Sequence, residues 1–357
     1  MTQTPNLSLA KGGQEPQTLL NIAVFLGGIS PERNVSLASG RSVVNALREL
    51  GHNVTAIDPT FGNEQPNNFL ESLPQNIAEI PPSLSELSNF PTRNYFACVN
   101  SSLLDNVEIV FLALHGKYGE DGIMQSLLEL RGIPYTGSNI LASSLAMDKA
   151  MAKVVFERNG IATPKWKVIE KQEMEKWRSG VMEFPIPCVV KPNDGGSTIG
   201  MSIVTEKEKL IPAIELAFQY SEKVLLEEFI EGRELTVPIV GNEALPIIEI
   251  KPKGGFYDYT RKYTKGETEY ICPAELPKES FLKIQEQGLK AFNVLGCKGF
   301  ARTDFRLKPN GELYCLEVNT IPGMTSTSLV PKAAKVVGIE FPQLCERIVR
   351  LAMELIR

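Results

Sequence analysis

The sequence predicts an α/β protein of several domains, and three stretches carry that prediction. Residues 21–26 form a short apolar run rich in β-formers, followed by Gly27-Gly28-Ile29-Ser30-Pro31-Glu32-Arg33. A helical pattern then places Val35, Ala38, Val43, Val44, Leu47 and Leu50 on one face and stops at Gly51 before a second strand at 53–58. Strand, glycine turn, helix, strand is a βαβ unit, which binds ligands at the carboxyl ends of its strands. The second stretch, 188–201, delivers Lys191 from an apolar strand into Asn193-Asp194-Gly195-Gly196-Ser197-Thr198-Ile199-Gly200 and returns to another strand. The third is a hairpin, 300–307 and 312–318, around Lys308-Pro309-Asn310-Gly311, because Asn-Gly tolerates the positive φ a tight turn needs.

A chain of 357 residues can bury the cores of two or three domains. Its 43% hydrophobic and 22% charged residues are ordinary for a soluble globular protein, and a formal charge of −5 argues against general nucleic-acid binding. The six cysteines are scattered without a CxxC, which reads as buried thiols in a reducing cytoplasm. Two histidines, His52 and His115, argue against a zinc site. No apolar run approaches a membrane span, and residues 1–20 lack a signal-peptide core and read as a disordered extension.

Taken in order, the N-terminal unit, 21–138, is an open parallel sheet interrupted at 59–106 by a proline-punctuated insertion to which the sequence assigns no role. A continuous apolar run at 107–114 is the pattern of a central parallel strand, and it ends in His115-Gly116-Lys117-Tyr118-Gly119-Glu120-Asp121-Gly122. His115 in that turn reads equally as structural or as a ligand contact. A second unit, 139–227, opens with one helix over 140–158, in which Lys149 alone reads as a solvated residue. The loop after Lys191 can fold over phosphates and donate backbone N–H groups, while the absence of GxxxxGK[ST] excludes a Walker-type loop. A helix is expected over 206–219, then strand, acidic linker and strand around Glu227-Glu228-Phe229-Ile230-Glu231-Gly232-Arg233-Glu234. This is the pattern of a connection between two lobes, in which Glu228 and Glu231 read as surface charges. A third unit, 228–357, adds a strand at 243–250. It continues with an aromatic and cationic stretch, 252–264, that reads either as a closing loop or as a packed aromatic cluster. After the hairpin, 328–337 and 341–356 carry the pattern of amphipathic closing helices.

The hairpin holds the most specific chemistry. Pairing around Asn-Gly brings Asp304 and Glu317 onto neighbouring strands, and Asn319, two residues beyond Glu317, points to the same face. Two carboxylates and an amide oxygen make a hard-oxygen site suited to Mg²⁺ and, with it, phosphate. Arg302 projects from that face too. The following Thr320-Ile321-Pro322-Gly323-Met324-Thr325-Ser326 supplies the glycine and small hydroxyls that let backbone approach a ligand.

Leu316-Glu317-Val318-Asn319-Thr320-Ile321-Pro322-Gly323-Met324-Thr325 resembles the signature of the D-alanine–D-alanine ligase family of ATP-grasp carboxylate–amine ligases. The resemblance extends in order through Gly27–Arg33, His115–Gly122, Met147-Asp148-Lys149, Val190-Lys191-Pro192 with the 195–201 loop, and Tyr257-Asp258-Tyr259 with Lys262-Tyr263 in the family's ω-loop. It implies an ATP-grasp fold of three domains, with two lobes sandwiching ATP. It also implies ligation of two D-alanine molecules through an acyl phosphate for peptidoglycan precursor synthesis. By the same resemblance, Asp304, Glu317 and Asn319 hold Mg²⁺ or Mn²⁺, as two ions. Lys149, Lys191 and Lys262 meet nucleotide phosphates, Glu227 and neighbouring backbone read adenine, and Glu234 holds the ribose. Glu32, beside His115, contacts the amino group of the first substrate. Ser328 and the Leu329 backbone hold the carboxylate of the second. Glu32, Ser197 and Tyr263 form a hydrogen-bonded trio, and Arg302 with the Gly323 N–H stabilises the oxyanion. A cytoplasmic homodimer is the family expectation. Two alternatives stay open: a D-alanyl-D-lactate ligase, against which a tyrosine at 263 argues, and a nucleotide-binding regulatory protein, which would have lost Arg302, Asp304 or Asn319.

Overall fold

The structure, a computed structural model, describes residues 18–73, 77, 80–253, 262, 264 and 266–354. Strands β1 (Asn21–Phe25), β2 (Asn53–Ile57) and β3 (Ile109–Leu112) form a parallel sheet in the order β2-β1-β3. In register, Val24 lies between Ala56 and Phe111, and β3 meets a further parallel bridge from Val110 to Tyr135. β1 and β3 are buried on both faces, which is why they read as continuous apolar runs. Helix α1 (Arg33–Glu49) covers this sheet with Val35, Leu37, Val43, Val44 and Leu47.

The 59–106 insertion folds into short pieces: α2 (Phe69–Ser72), α3 (Leu84–Leu87), α4 (Arg93–Val99), and single 3₁₀ turns at Pro59–Phe61 and Ser102–Leu104. Its described part braces the glycine turn after β1. The Ile29 N–H donates to the Tyr95 hydroxyl at 2.7 Å, and the Arg33 guanidinium sits 4.7 Å from the centre of the Phe90 ring. Helix α5 (Ile123–Arg131) follows the His115 turn.

The expected helix over 140–158 is two helices, α6 (Ile140–Met147) and α7 (Lys149–Arg158). Asp148 breaks the run because its carboxylate accepts from Met151 N at 3.0 Å and from Asn193 Nδ2 at 2.8 Å, so it caps a new helix that begins at Lys149. Strands β4 (Trp166–Glu170), β5 (Cys188–Pro192), β6 (Ser202–Val204) and β7 (Lys223–Glu228) form an antiparallel sheet in the order β4-β7-β5-β6, with α8 (Met174–Arg178) and α9 (Leu210–Ala217) packed in its core. The expected helix at 206–219 is shorter, a 3₁₀ turn at Lys207–Lys209 running into α9.

The third sheet is built from β8 (Arg233–Val240), β9 (Glu243–Ala244), β10 (Ile248–Pro252), β11 (Thr268–Ile271), β12 (Phe300–Leu307) and β13 (Leu313–Asn319), in the order β11-β10-β8-β12-β13 with β9 beside β8. The expected strand at 243–250 is divided into β9 and β10 by Pro246, which has no N–H for the ladder. β7 and β8 lie in different sheets, so 229–232 is the connection between them. Helix α10 (Lys278–Val294) packs on β8 and β12. The last helices, α11 (Leu329–Val336) and α12 (Phe341–Glu354), turn back to the first sheet: Val330, Ala333, Leu344 and Ile348 share a core with Phe25, Val43 and Leu47. His52, after α1, lies 2.6 Å from Glu346 of α12. The chain end thus fastens the third sheet to the N-terminal one, with an open cleft of about 670 Å³ lined by residues of all three sheets and their loops.

Candidate active site

Every residue given a catalytic, nucleotide, metal or substrate role in the sequence lines this cavity except Tyr263, which lies outside the described residues together with 254–261 of the ω-loop stretch. From the first sheet, Gly27 and Gly28 turn at φ 82° and 80°, and a Cβ on Gly27 would stand 2.3 Å from Asp58 Oδ2. Asp58 accepts from Gly28 N at 3.2 Å and pairs with Arg33 at 2.5 Å, which fixes the entrance to α1 and puts Glu32 at its N-terminus. Ser30 Oγ donates to the His115 carbonyl at 2.7 Å, joining the β1 and β3 turns. His115 is buried, with Nε2 3.3 Å from Ser39 Oγ. Burial lowers its pKa although Glu32 lies close, so the ring is neutral at pH 7.

The 195–201 loop joins β5 to β6 of the second sheet and on the way reaches Glu32 beside the first. Ser197 Oγ donates to Glu32 Oε1. Ser197 and Thr198 both hold positive φ, 48° and 60°, a conformation costing about 1–3 kcal/mol for a non-glycine residue. Lys149 Nζ donates to the Gly195 carbonyl at 2.5 Å and lies 3.4 Å from Glu317 Oε2. The first half of the loop is therefore held from two sides, at Gly195 by Lys149 and at Ser197 by Glu32.

On the hairpin, Asp304 faces Glu317 and Arg302 faces Asn319 in register, with a bulge after Asp304. Glu317 is driven down to about 2: burial opposes its charge, but Lys149, Lys191, Lys262 and Arg302 reverse that effect. Asp304 receives the Arg302 guanidinium at 2.9–3.1 Å and the Thr236 hydroxyl at 2.6 Å. Asn319 Oδ1 is buried and has no hydrogen-bond partner among the described residues. A buried unpaired amide oxygen beside two carboxylates suits a hard divalent cation, so these residues fit Mg²⁺.

Deeper in the cavity, Glu227 does something its sequence context does not reveal. Its carboxylate lies between two ammonium groups, Lys191 at 2.6 Å and Lys153 on its other oxygen. Burial raises its pKa and the two lysines more than reverse this, so it is ionised. Glu234 is approached by Arg306 at 3.3 Å, and burial lifts its pKa despite that cation. Lys262 has its pKa lowered, first by burial and then by Arg302, with Glu317 and Glu234 opposing. At the far end, Ser328 Oγ accepts from Thr325 N at 3.0 Å, and Leu329 opens α11. A Cβ on Gly323 would come 3.2 Å from Ser328 Oγ, which places the Gly323 backbone against that turn.

Two buried residues escaped the sequence reading. Glu120 accepts from Gly116 N at 2.7 Å and Ile321 N at 3.3 Å, and burial with nearby Glu32 pushes it up to about 8. It ties the His115 turn to the segment after β13. Lys153 has a wholly buried side chain. The available signal was a lysine recurring four residues after Lys149 on one helix face, which sequence alone does not separate from a solvated pair.

Two family models match the chain, D-ala D-ala ligase N-terminus over residues 21–138 and D-ala D-ala ligase C-terminus over 155–350. The D-alanine–D-alanine ligase of Syntrophotalea carbinolica is 44% identical over 92% of this chain and 94% of its own length. That of Desulforamulus reducens is 43% identical over 94% and 99%. Among solved structures, the Bacillus anthracis D-alanine–D-alanine ligase complexed with ATP aligns with a TM-score of 0.70 at 31% identity, covering 94% of this chain and 98% of its own. The VanG D-Ala:D-Ser ligase of Enterococcus faecalis aligns at 0.74 and 32%, covering 94% and 100%. The fold is accordingly ATP-grasp, as the three sheets and the cavity between them suggest. The chain belongs to the D-alanine–D-alanine ligase family.

Proposed function

We propose that the protein ligates two D-alanine molecules to D-alanyl-D-alanine at the expense of ATP, for peptidoglycan precursor synthesis. A carboxylate oxygen of the first D-alanine attacks the γ-phosphorus and ADP departs, leaving an acyl phosphate. The amine of the second D-alanine then attacks the carbonyl carbon, and inorganic phosphate leaves as the tetrahedral intermediate collapses. The observation that carries this reading is the meeting in one cavity of the Glu32–Ser197 contact with the Asp304, Glu317 and Asn319 face, in a chain of this family.

In this assignment Glu32 holds the ammonium of the first D-alanine, with neutral His115 beside it. Lys149, Lys191 and Lys262 receive the phosphates, Glu227 with adjoining backbone lies at the adenine, and Glu234 takes the ribose hydroxyls. Mg²⁺ or Mn²⁺, as two ions on Asp304, Glu317 and Asn319, would neutralise charge on the transferring phosphoryl group. Arg302 and the Gly323 N–H stabilise the oxyanion, and Ser328 with the Leu329 N–H orients the second carboxylate. Tyr263 completes the trio with Ser197 and Glu32. The units 21–138, 139–227 and 228–357 act as substrate domain and two ATP-holding lobes, in a cytoplasmic homodimer. Among the described residues no helix is long and apolar enough to cross a membrane.

The test is ADP release with D-alanine, coupled to mass analysis of the product with D-alanine, D-serine and D-lactate in competition. Dipeptide as the dominant product supports the reading. ADP release without dipeptide, or a dominant seryl or lactyl product, overturns it.

A further inference from the structure

Lys153 lies four residues beyond Lys149 on α7, yet the two side chains part company. Lys149 lines the cavity, whereas the Lys153 side chain is wholly buried behind it. Its ammonium pairs with Glu227 Oε1 and donates to Thr163 Oγ1 at 2.6 Å, and Thr163 Oγ1 in turn donates to the Cys315 carbonyl of β13 at 2.8 Å. Glu227 Oε2 takes Lys191 Nζ at 2.6 Å, and Lys191 does line the cavity. One carboxylate is thus shared by two lysines; burial lowers the pKa of Lys153, and Glu227 opposes that effect. With both lysines protonated the cluster carries a net charge of +1.

Packing alone explains such a lysine poorly. A buried ammonium costs several kcal/mol to desolvate, and an apolar side chain of similar volume commonly serves a core at least as well. Without Lys153, the whole Glu227 carboxylate would fall to Lys191, which already faces Glu317 and Asp304, and Lys191 would offer the nucleotide a cancelled charge. With Lys153 present, Glu227 is divided between two partners and held in place from below. We infer that Lys153 is a positioning residue for the nucleotide: by sharing Glu227, it leaves the positive charge of Lys191 available to the phosphates of ATP. The inference rests on the ATP-dependent reading above.

The experiment measures ATP affinity by titration calorimetry with Mg²⁺, alongside steady-state kinetics, for the full-length wild type, Lys153→Met, Lys153→Arg, Glu227→Gln and the double variant Lys153→Met/Glu227→Gln. Lys153→Met should weaken ATP binding by about ten- to a hundredfold, the scale of one unit charge at an effective dielectric near 20. KM for ATP should rise in parallel, with KM for D-alanine unchanged. Lys153→Arg should retain most of the affinity. Because Glu227→Gln also alters the group at the adenine, the comparison is made within that background: once the carboxylate is neutral, adding Lys153→Met should weaken ATP binding by less than about twofold beyond Glu227→Gln alone. Lys153→Met binding ATP within about twofold of wild type, or costing as much in the Glu227→Gln background as in the wild type, overturns the inference. If Lys153→Met is unfolded by circular dichroism, Lys153→Gln, which keeps a polar head for Thr163, carries the same expectations and the same refutation. A wild type that does not bind ATP overturns the ligase reading and this inference with it. A wild type that binds ATP beside an unaffected Lys153 variant overturns the inference alone.

Discussion

Gly196→Ala is the substitution whose effect the structure determines most directly. A Cβ at this position would stand 2.3 Å from Glu32 Oε2, 2.9 Å from Glu32 Cδ and 3.1 Å from Oε1. Gly196 does not need a left-handed backbone, so the loop itself tolerates alanine. The carboxylate at the end of the Glu32 side chain must therefore move, and its bond from Ser197 Oγ is lost. A hydrogen bond to a charged group contributes about 1.5–3 kcal/mol, which corresponds to roughly ten- to a hundredfold in affinity. KM for the first D-alanine should rise by that factor and the melting temperature should fall by a few degrees, while ATP affinity stays near wild type. The assay is ADP release against D-alanine concentration, fitted for two substrate sites, with ATP binding measured separately. Unchanged D-alanine kinetics would mean that Glu32 is not held where the first substrate binds.

Three further expectations follow from the site. Asn319→Ala removes a buried oxygen with no hydrogen-bond partner among the described residues, so a magnesium titration of turnover should shift to higher concentration by at least about tenfold without a change in folding. Superimposable titrations would take Asn319 out of the metal site. Tyr263→Phe should keep ATP binding, lose some dipeptide synthesis and gain D-alanyl-D-lactate, most visibly at lower pH, where the second D-alanine is more fully an ammonium ion. An ester-to-peptide ratio equal to wild type from about pH 6 to pH 9 would deny Tyr263 a part in nucleophile choice. Glu120 is raised in the folded state to about 8, so the native protein holds a proton there that the unfolded chain gives up. Stability should therefore fall as pH climbs from the unfolded carboxyl range toward 8, and Glu120→Gln should flatten that slope in melting temperature. Parallel slopes for the two proteins would place the Glu120 titration elsewhere.

Much of this site was legible before the fold was known, for reasons that are local. Alternation and an Asn-Gly turn are enough to set Arg302, Asp304, Glu317 and Asn319 on one hairpin face, and the observed register agrees. Continuous apolar runs identify β1 and β3, and the glycine turns that follow them bring Glu32 and His115 to the ends of those strands. Local pattern misled where one side chain met a distant partner. The run over 140–158 has helical periodicity throughout, but Asp148 finds Met151 and Asn193 and starts a new helix. The proline-rich insertion carries no periodic signal, and its brace on the glycine turn through Tyr95 and Ile29 spans 66 residues.

What the sequence by itself determined was most of the elements and the short-range faces of the candidate site, because turn conformation and two-residue alternation are properties of neighbours along the chain. Only the tertiary structure decided which charges answer one another. Glu227 is shared between Lys191 and Lys153, Arg302 rests on Asp304, and Lys149 reaches Glu317 across 168 residues of chain. Coulomb energy and desolvation depend on distance and burial in space, and neither can be read from spacing along the chain.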